Sequence, residues 1–261
     1  MQVLSPRNSQ LATRIKCSFR LIIFGKAAAI AGLVFGLVTS SQGESQTVTA
    51  LLPDTGASQC YQAGSNVLVS CTSAKAIAFN AKQDGMVGRD VSDPDNSDGK
   101  LGFSYSAVSG GCVKDNLTGL IWEIKTNDGG LRDLKHIYTN YDDTNQAQKW
   151  IGAAYFNPTQ AEIDAATNTR GYVASVNAAS LCGYTDWRLP TAEELQGIVN
   201  YGAAKPSPAL DATWFPNTQG NAYWSSSFSA ANASDAWSID FWDGRLDYRP
   251  RVIKYHVRLV R

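Results

Sequence analysis

The chain of 261 residues contains only two histidines, His136 and His256, and no pair of its five cysteines has Cys-x-x-Cys spacing. Structural zinc sites draw on clustered Cys and His, so this scarcity argues against one. It also weakens a serine nucleophile: Ser225, Ser226 and Ser227 stand in a row, but neither histidine has the sequence context of a base. Serines beside Trp224 in a strand are expected instead to satisfy nearby backbone groups. Carboxylate pairs fare no better. Glu193 and Glu194 are adjacent on a helix, where neighbours do not face each other, and Asp240 with Asp243 lacks any geometric warrant. An acidic run (Asp90, Asp93, Asp95, Asp98, Gly99) invites a calcium reading. Its glycine falls at the seventh place of the loop rather than the sixth, and no Glu closes it, so a solvated turn is expected. No cofactor and no enzymatic activity are expected.

Charge is uneven. Residues 1–43 hold five basic and no acidic residues, which leaves 18 basic against 23 acidic residues in the remainder, a net of −5. That balance argues against general nucleic-acid binding. Within the leader, Ala27 to Val38 is an uncharged apolar run of twelve followed by small and polar residues, the layout of a secretory signal peptide with cleavage near Gly43. The alternative is an uncleaved anchor from Leu21 to Val38, interrupted by Lys26, which would be the chain's only attachment to a membrane. No Cys follows the apolar run directly, which argues against a lipoprotein. Beyond Cys17, four cysteines remain: Cys60, Cys71, Cys112 and Cys182. An even number in an exported chain favours two disulfides. Three pairings are possible. Cys60–Cys71 would close a short loop, and Cys112–Cys182 would then tie the first strand of the main domain to its helical corner.

The pivotal stretch is Asp186 to Gln196. Pro190 keeps Leu189 extended. Thr191 then caps a helix, and Glu194 completes a capping box. Leu195, Ile198 and Val199 point inward, and Gly202 and Pro206 stop the helix. Trp187 reads as a core anchor and Arg188 as its polar partner. Elsewhere, Leu120-Ile121-Trp122 reads as a buried strand and Gly171–Leu181 as a helix. Residues 136–160 read as a long loop rich in rings (Tyr138, Tyr141, Trp150, Tyr155), either packed down or forming a binding rim. Tyr223–Ser227 and Ala236–Trp242 read as strands, Asp243-Gly244 as a hairpin turn, and Arg251–Arg261 as a closing strand with Val257 and Leu259 opposite Arg258.

Trp187-Arg188-Leu189-Pro190-Thr191 with Glu194-Leu195 resembles the DUF1566 family, the C-terminal domain family of the Legionella collagen-like adhesin. Four further segments fall in the family's order: Asp115–Trp122, Val176–Ala179 with Leu181–Tyr184, Tyr223–Ser227, and Ala236–Phe241 with Val257–Arg261. The likeness covers roughly residues 110–261. The family is similar to the C-type-lectin-like superfamily. The resemblance therefore implies an α+β fold of two helices and a twisted antiparallel sheet with long loops, preceded by a disulfide-stapled extension. The resulting expectation is a signal peptide over 1–43, an extension over 44–109 and the domain over 110–261. In the family a further Cys often precedes the first helix. Here Thr167-Asn168-Thr169 stands in that place, which leaves the second bridge open. The corner also resembles formylglycine-generating enzymes, which need a Cys pair near the C-terminus, and no Cys follows Cys182. The calcium motifs of true C-type lectins are absent, as is the collagen-like repeat of the named adhesin.

The named adhesin's domain binds sulfated glycans, and this directs attention to the hairpin from Trp242 to Arg251. From Arg245 to Arg261 there are six basic residues against Asp247 alone. Arginine pairs bidentately with sulfate or carboxylate, and rings stack on sugar faces. Trp242, Arg245, Arg249, Arg251 and Lys254 are the expected ligand contacts, with Trp122, Trp187, Arg188, Thr191, Glu194, Trp224 and Trp237 as structural support. The expected partner is an anionic glycan or, alternatively, an envelope protein.

Overall fold

The capping box at Thr191 holds as the sequence dictates. The Thr191 hydroxyl accepts from Glu194 N at 3.2 Å and the Glu194 carboxylate accepts from Thr191 N at 2.8 Å. In the computed structural model, which describes residues 54–65, 67–92, 97–203 and 208–261, this box opens a helix of only five residues, Ala192–Gln196. The helix stops at Gly197 rather than Gly202, yet Leu195, Ile198 and Val199 are all buried, the last two from irregular chain. The expected leader, the acidic turn at Asp93 and Asp95, and Pro206 lie outside the described residues.

The fold is α+β, with small antiparallel sheets, short helices and two disulfides. Three-residue strands β1 (Gln59–Tyr61) and β2 (Leu68–Ser70) form a hairpin, stapled by Cys60–Cys71. Short helices α1 (Ala74–Phe79), α2 (Asp84–Val87) and α3 (Arg89–Ser92) follow. Next comes a meander of β3 (Tyr105–Val108), β4 (Cys112–Asp115) and β5 (Ile121–Glu123). β3 stands on the extension side of the expected boundary at residue 109, but it pairs along its length with β4, and Tyr105 and nearby Phe103 sit in the main core.

Residues 136–160 are not a plain loop. They contain a separate hairpin, β6 (Lys149–Ile151) and β7 (Ala154–Phe156), ahead of the capped turn of helix α4 (Gln160–Ile163). Helix α5 runs Thr169–Ala178, starting and ending earlier than the apolar spacing indicated. The short capped helix is α6 (Ala192–Gln196). The second meander is β8 (Ala222–Phe228), β9 (Asp235–Asp240) and β10 (Arg245–Pro250), in the order β10-β9-β8, so β10 is an edge strand.

The expected closing strand needs correction. The third strand of this sheet is β10, and residues 251–261 form isolated bridges instead. Those bridges organise the molecule. Ile121 and Arg261 exchange backbone hydrogen bonds at 3.0 Å on one side, and Arg188 and Val260 exchange them at 2.9 Å on the other. The C-terminal segment thus lies between β5 and the Trp187 corner. Those pairings satisfy its edges, and its faces are covered by the core: Val257 and Leu259 pack into one buried cluster, Val260 into the other, with Arg258 over Phe215, so all four residues are fully buried. Trp122, Trp187 and Trp224 are sealed in the core around it. Trp237 is not: it is half-buried, its ring edge-on to Tyr248 across the β9–β10 pair.

Candidate binding surface

β10 presents its residues alternately. Arg245, Asp247 and Arg249 share one face, while Leu246 and Tyr248 share the other with Trp237. Arg249 and Asp247 form an ion pair at 2.6 Å, with the arginine side chain 45% exposed. Such a pair is worth little and opens readily. The Arg245 guanidinium and the Lys254 ammonium have no hydrogen-bond or ion-pair partner among the described residues. Arg245 and Arg249 stand about 13 Å apart along the strand at roughly 3.3 Å per residue.

Trp242 sits in the turn before β10. Its backbone N–H donates to Asp240 Oδ1 at 2.9 Å, and its ring packs over Gly220, where an added Cβ would lie 3.3 Å from Cε3. The ring thus has the chain at Gly220 beside its Cε3 while the side chain stays 48% exposed. Gly244 makes the turn possible: it takes φ +77°, and a Cβ there would meet Val199 Cγ1 at 2.5 Å.

Arg251 does not join this surface. It is 2% exposed; its Nε donates to Asn140 O at 2.5 Å, its Nη2 pairs with Asp142 at 2.6 Å, and its guanidinium lies over Phe228. Immediately after Pro250 the chain turns inward, with Ile253 N donating to Pro250 O, and the side chain is carried under the sheet. Arg251 is thus a clamp on residues 140–142 and not a ligand contact. Lys254 is exposed and lies past this turn, outside β10.

The corner supports the fold. Trp187 is buried, its Nε1 donates to Leu181 O at 3.0 Å, and Asn177 brackets its backbone. Arg188 is not its partner. It reaches outward and grips Glu194 bidentately at 2.7 Å, which holds the Glu194 carboxyl below its usual range. The Cys112–Cys182 bridge is formed. The serines are used locally: Ser225 Oγ donates to Trp237 O, Ser226 Oγ donates to Pro190 O, and Ser227 Oγ accepts from Ala192 N. Among the described residues no group of three His, Cys, Asp or Glu could hold a metal.

Two features escaped sequence reading. One is a buried polar cluster. The Glu123 carboxylate accepts from Lys125 Nζ at 2.9 Å, from Tyr172 OH and from Leu259 N at 2.9 Å, while Arg258 donates to Glu123 O at 2.5 Å. Burial pushes the Lys125 ammonium down, with Glu123 opposing that, and burial pushes the Tyr172 phenol up. The only hint in the sequence was the pair of charges flanking Ile124. The other feature is the β6–β7 hairpin, whose rings face solvent.

Comparison with known proteins places the sequence at the level of family. No curated protein and no solved structure matches the chain. The family model described as the Lcl C-terminal domain matches residues 111–261, from β4 through the second meander to the last residue. The chain belongs to the Lcl C-terminal domain family, and that membership points to a surface or binding module.

Proposed function

We propose that the protein is an exported, non-catalytic adhesion module of C-type-lectin-like fold that holds anionic, sulfated glycan along β10. The observation that carries this reading is the edge strand itself, where unpaired Arg245 and loosely paired Arg249 share one face and the half-exposed ring of Trp242 stands in the turn that leads into it. Cations of this kind take sulfate or carboxylate groups, and a half-exposed ring offers a face to a sugar. Two disulfides fit an oxidising compartment outside the cytosol. The test is binding of the full chain to sulfated and neutral polysaccharides at two salt concentrations. Arg245→Ala/Arg249→Ala should weaken binding to the sulfated polymer, and more so at low salt. Equal affinity of variant and wild type at both salt levels rejects the assignment.

A second reading is a protein-binding module of an envelope assembly. It is favoured by the open hydrogen-bonding edge of β10, a template on which a partner strand can pair. Binding to an envelope protein that free sulfated glycan does not compete away would select it.

A further inference from the structure

The β6–β7 hairpin is the most exposed apolar feature of the main domain. Trp150, Ile151, Tyr155 and Phe156 are 46–54% exposed, and Gly152, Ala153 and Ala154 between them are exposed too. The strands pair only with each other. By register Trp150 lies opposite Tyr155, their rings 4.7 Å apart, while Phe156 and Ile151 lie on the other face. Both faces of the hairpin are therefore apolar and both are wet. Its base is firm. Lys149 Nζ donates to both Glu162 oxygens at 2.7 and 2.9 Å, and Glu162 also caps α4 through Thr159. Residues 150–157 carry no charge, and the one cation at the base is already neutralised.

We infer that this hairpin tip is a membrane-interface anchor that inserts Trp150, Ile151, Tyr155 and Phe156 among lipid headgroups and upper acyl chains. Two arguments choose a bilayer over a protein. The first is area. Large rings bury about 150–250 Å² each, so three half-exposed rings and one isoleucine offer roughly 300–400 Å², under half of the ~800 Å² per partner that a stable protein interface needs. The second is shape. That area is divided between two opposite faces, which a flat partner cannot cover together but an interfacial solvent surrounds at once. The chemistry agrees: Trp and Tyr concentrate at membrane interfaces, where an apolar ring with a polar tip fits. The reach agrees as well, since three residues per strand extend about 10 Å, comparable to the roughly 5–10 Å depth of interfacial insertion. With no free cation at the tip, insertion does not require anionic lipid. This inference does not depend on the glycan reading.

The test places an environment-sensitive dye at the tip of the full chain, as Cys17→Ser/Ala153→Cys, with Cys17→Ser/Thr185→Cys as a control on the exposed turn after Cys182. The probe is vesicles of phosphatidylcholine, with and without nitroxide-bearing lipid. The label reports the tip alone, so attachment through residues 1–53 does not register. The expected result is a blue shift and nitroxide quenching at 153, not at 185, unaffected by added salt. Trp150→Ser/Tyr155→Ser should lower tip insertion by roughly tenfold or more, since losing about 55 Å² of apolar burial corresponds to a factor of ten. Ile151→Lys, which leaves both rings in place and suits a water-exposed turn, should reduce insertion in the same direction. An unshifted label at 153, or a shift that survives both variants, overturns the proposal. A shift produced by lipid-free envelope protein and not by vesicles also overturns it.

Discussion

Glu123→Gln isolates what the buried polar cluster contributes. Glu123 is 0% exposed and Lys125 is 2% exposed, and among the described residues the carboxylate is the one anion in ion-pair contact with that ammonium. The amide has a single oxygen, which can still accept from Leu259 N while its NH2 group donates to the Tyr172 hydroxyl oxygen, and Lys125 and Arg258 are left charged, buried and without an anion. Breaking one partner of a buried pair costs about 3–5 kcal/mol, against a total stability of about 5–15 kcal/mol for a domain. At about 2–4 °C per kcal/mol for a chain of this size, the midpoint should fall by roughly 6–20 °C. The sign of the pH dependence follows from Lys125. Burial already lowers its folded pKa below the unfolded value of 10.5, and loss of Glu123 lowers it further. The unfolded chain then binds more protons across that window, so the variant should gain stability as pH rises toward 10.5, more steeply than wild type. Urea unfolding followed by tryptophan fluorescence, at pH 7 and again at pH 9 with disulfides intact, reads both effects. Adding Lys125→Met to the variant should restore about 1–3 kcal/mol, the coupling typical of contacting residues. A loss below about 1 kcal/mol at pH 7 would refute the reasoning.

Cys112→Ala/Cys182→Ala opens a loop with a sequence separation of 70, and the chain-entropy relation puts the loss at about 4 kcal/mol, measurable as a shift in urea midpoint. Thr191→Ala removes the cap of α6 and should cost about 1 kcal/mol in the same assay, with Thr191→Ser nearly silent. The Lys149 ammonium and the Thr159 backbone hold the Glu162 carboxyl down at about 2. Its folded pKa is below its unfolded value, so its contribution is complete above about 4.5 and is lost as pH falls through 2. Protection factors of the amides in residues 149–163, taken relative to intrinsic exchange at each pH, should therefore fall on acidification in wild type, and Glu162→Gln should flatten that response.

What could be read from the sequence was local. The Thr191–Glu194 box and the anchoring of Trp187 depend on residues within ten positions of one another, and the structure bears both out. Two of the errors involve distant partners. Arg251 reads as one more exposed cation of the hairpin, because its ligands Asn140 and Asp142 lie 111 and 109 positions away. Arg258 alternates with Val257 and Leu259 and so reads as outward-facing, yet its guanidinium lies over Phe215 of one buried cluster while Val257 and Leu259 pack into the other. The β6–β7 hairpin was hidden for a different reason: three residues per strand are too few to show a period of two amid polar loop.

The burial of Arg251 links the two surfaces. It directly follows β10, and it holds Asn140 O and Asp142. Asp142 in turn is tied to Gln148, whose side chain accepts from Asp142 N at 2.9 Å and donates to Asp142 O at 3.0 Å. Gln148 immediately precedes Lys149, the first residue of the aromatic hairpin. One guanidinium thus fixes the end of the proposed glycan strand and the base of the proposed membrane tip. Arg251→Met should leave the partly buried Asp142 carboxylate without its cation, at about 1.5–3 kcal/mol. If the linkage is as drawn, the damage is directed: amide exchange should accelerate first in residues 140–156 and at Arg249 and Pro250's neighbours in β10, ahead of β3–β5. Uniform acceleration across all the strands would mean that Arg251 serves general stability and that the two surfaces are independent.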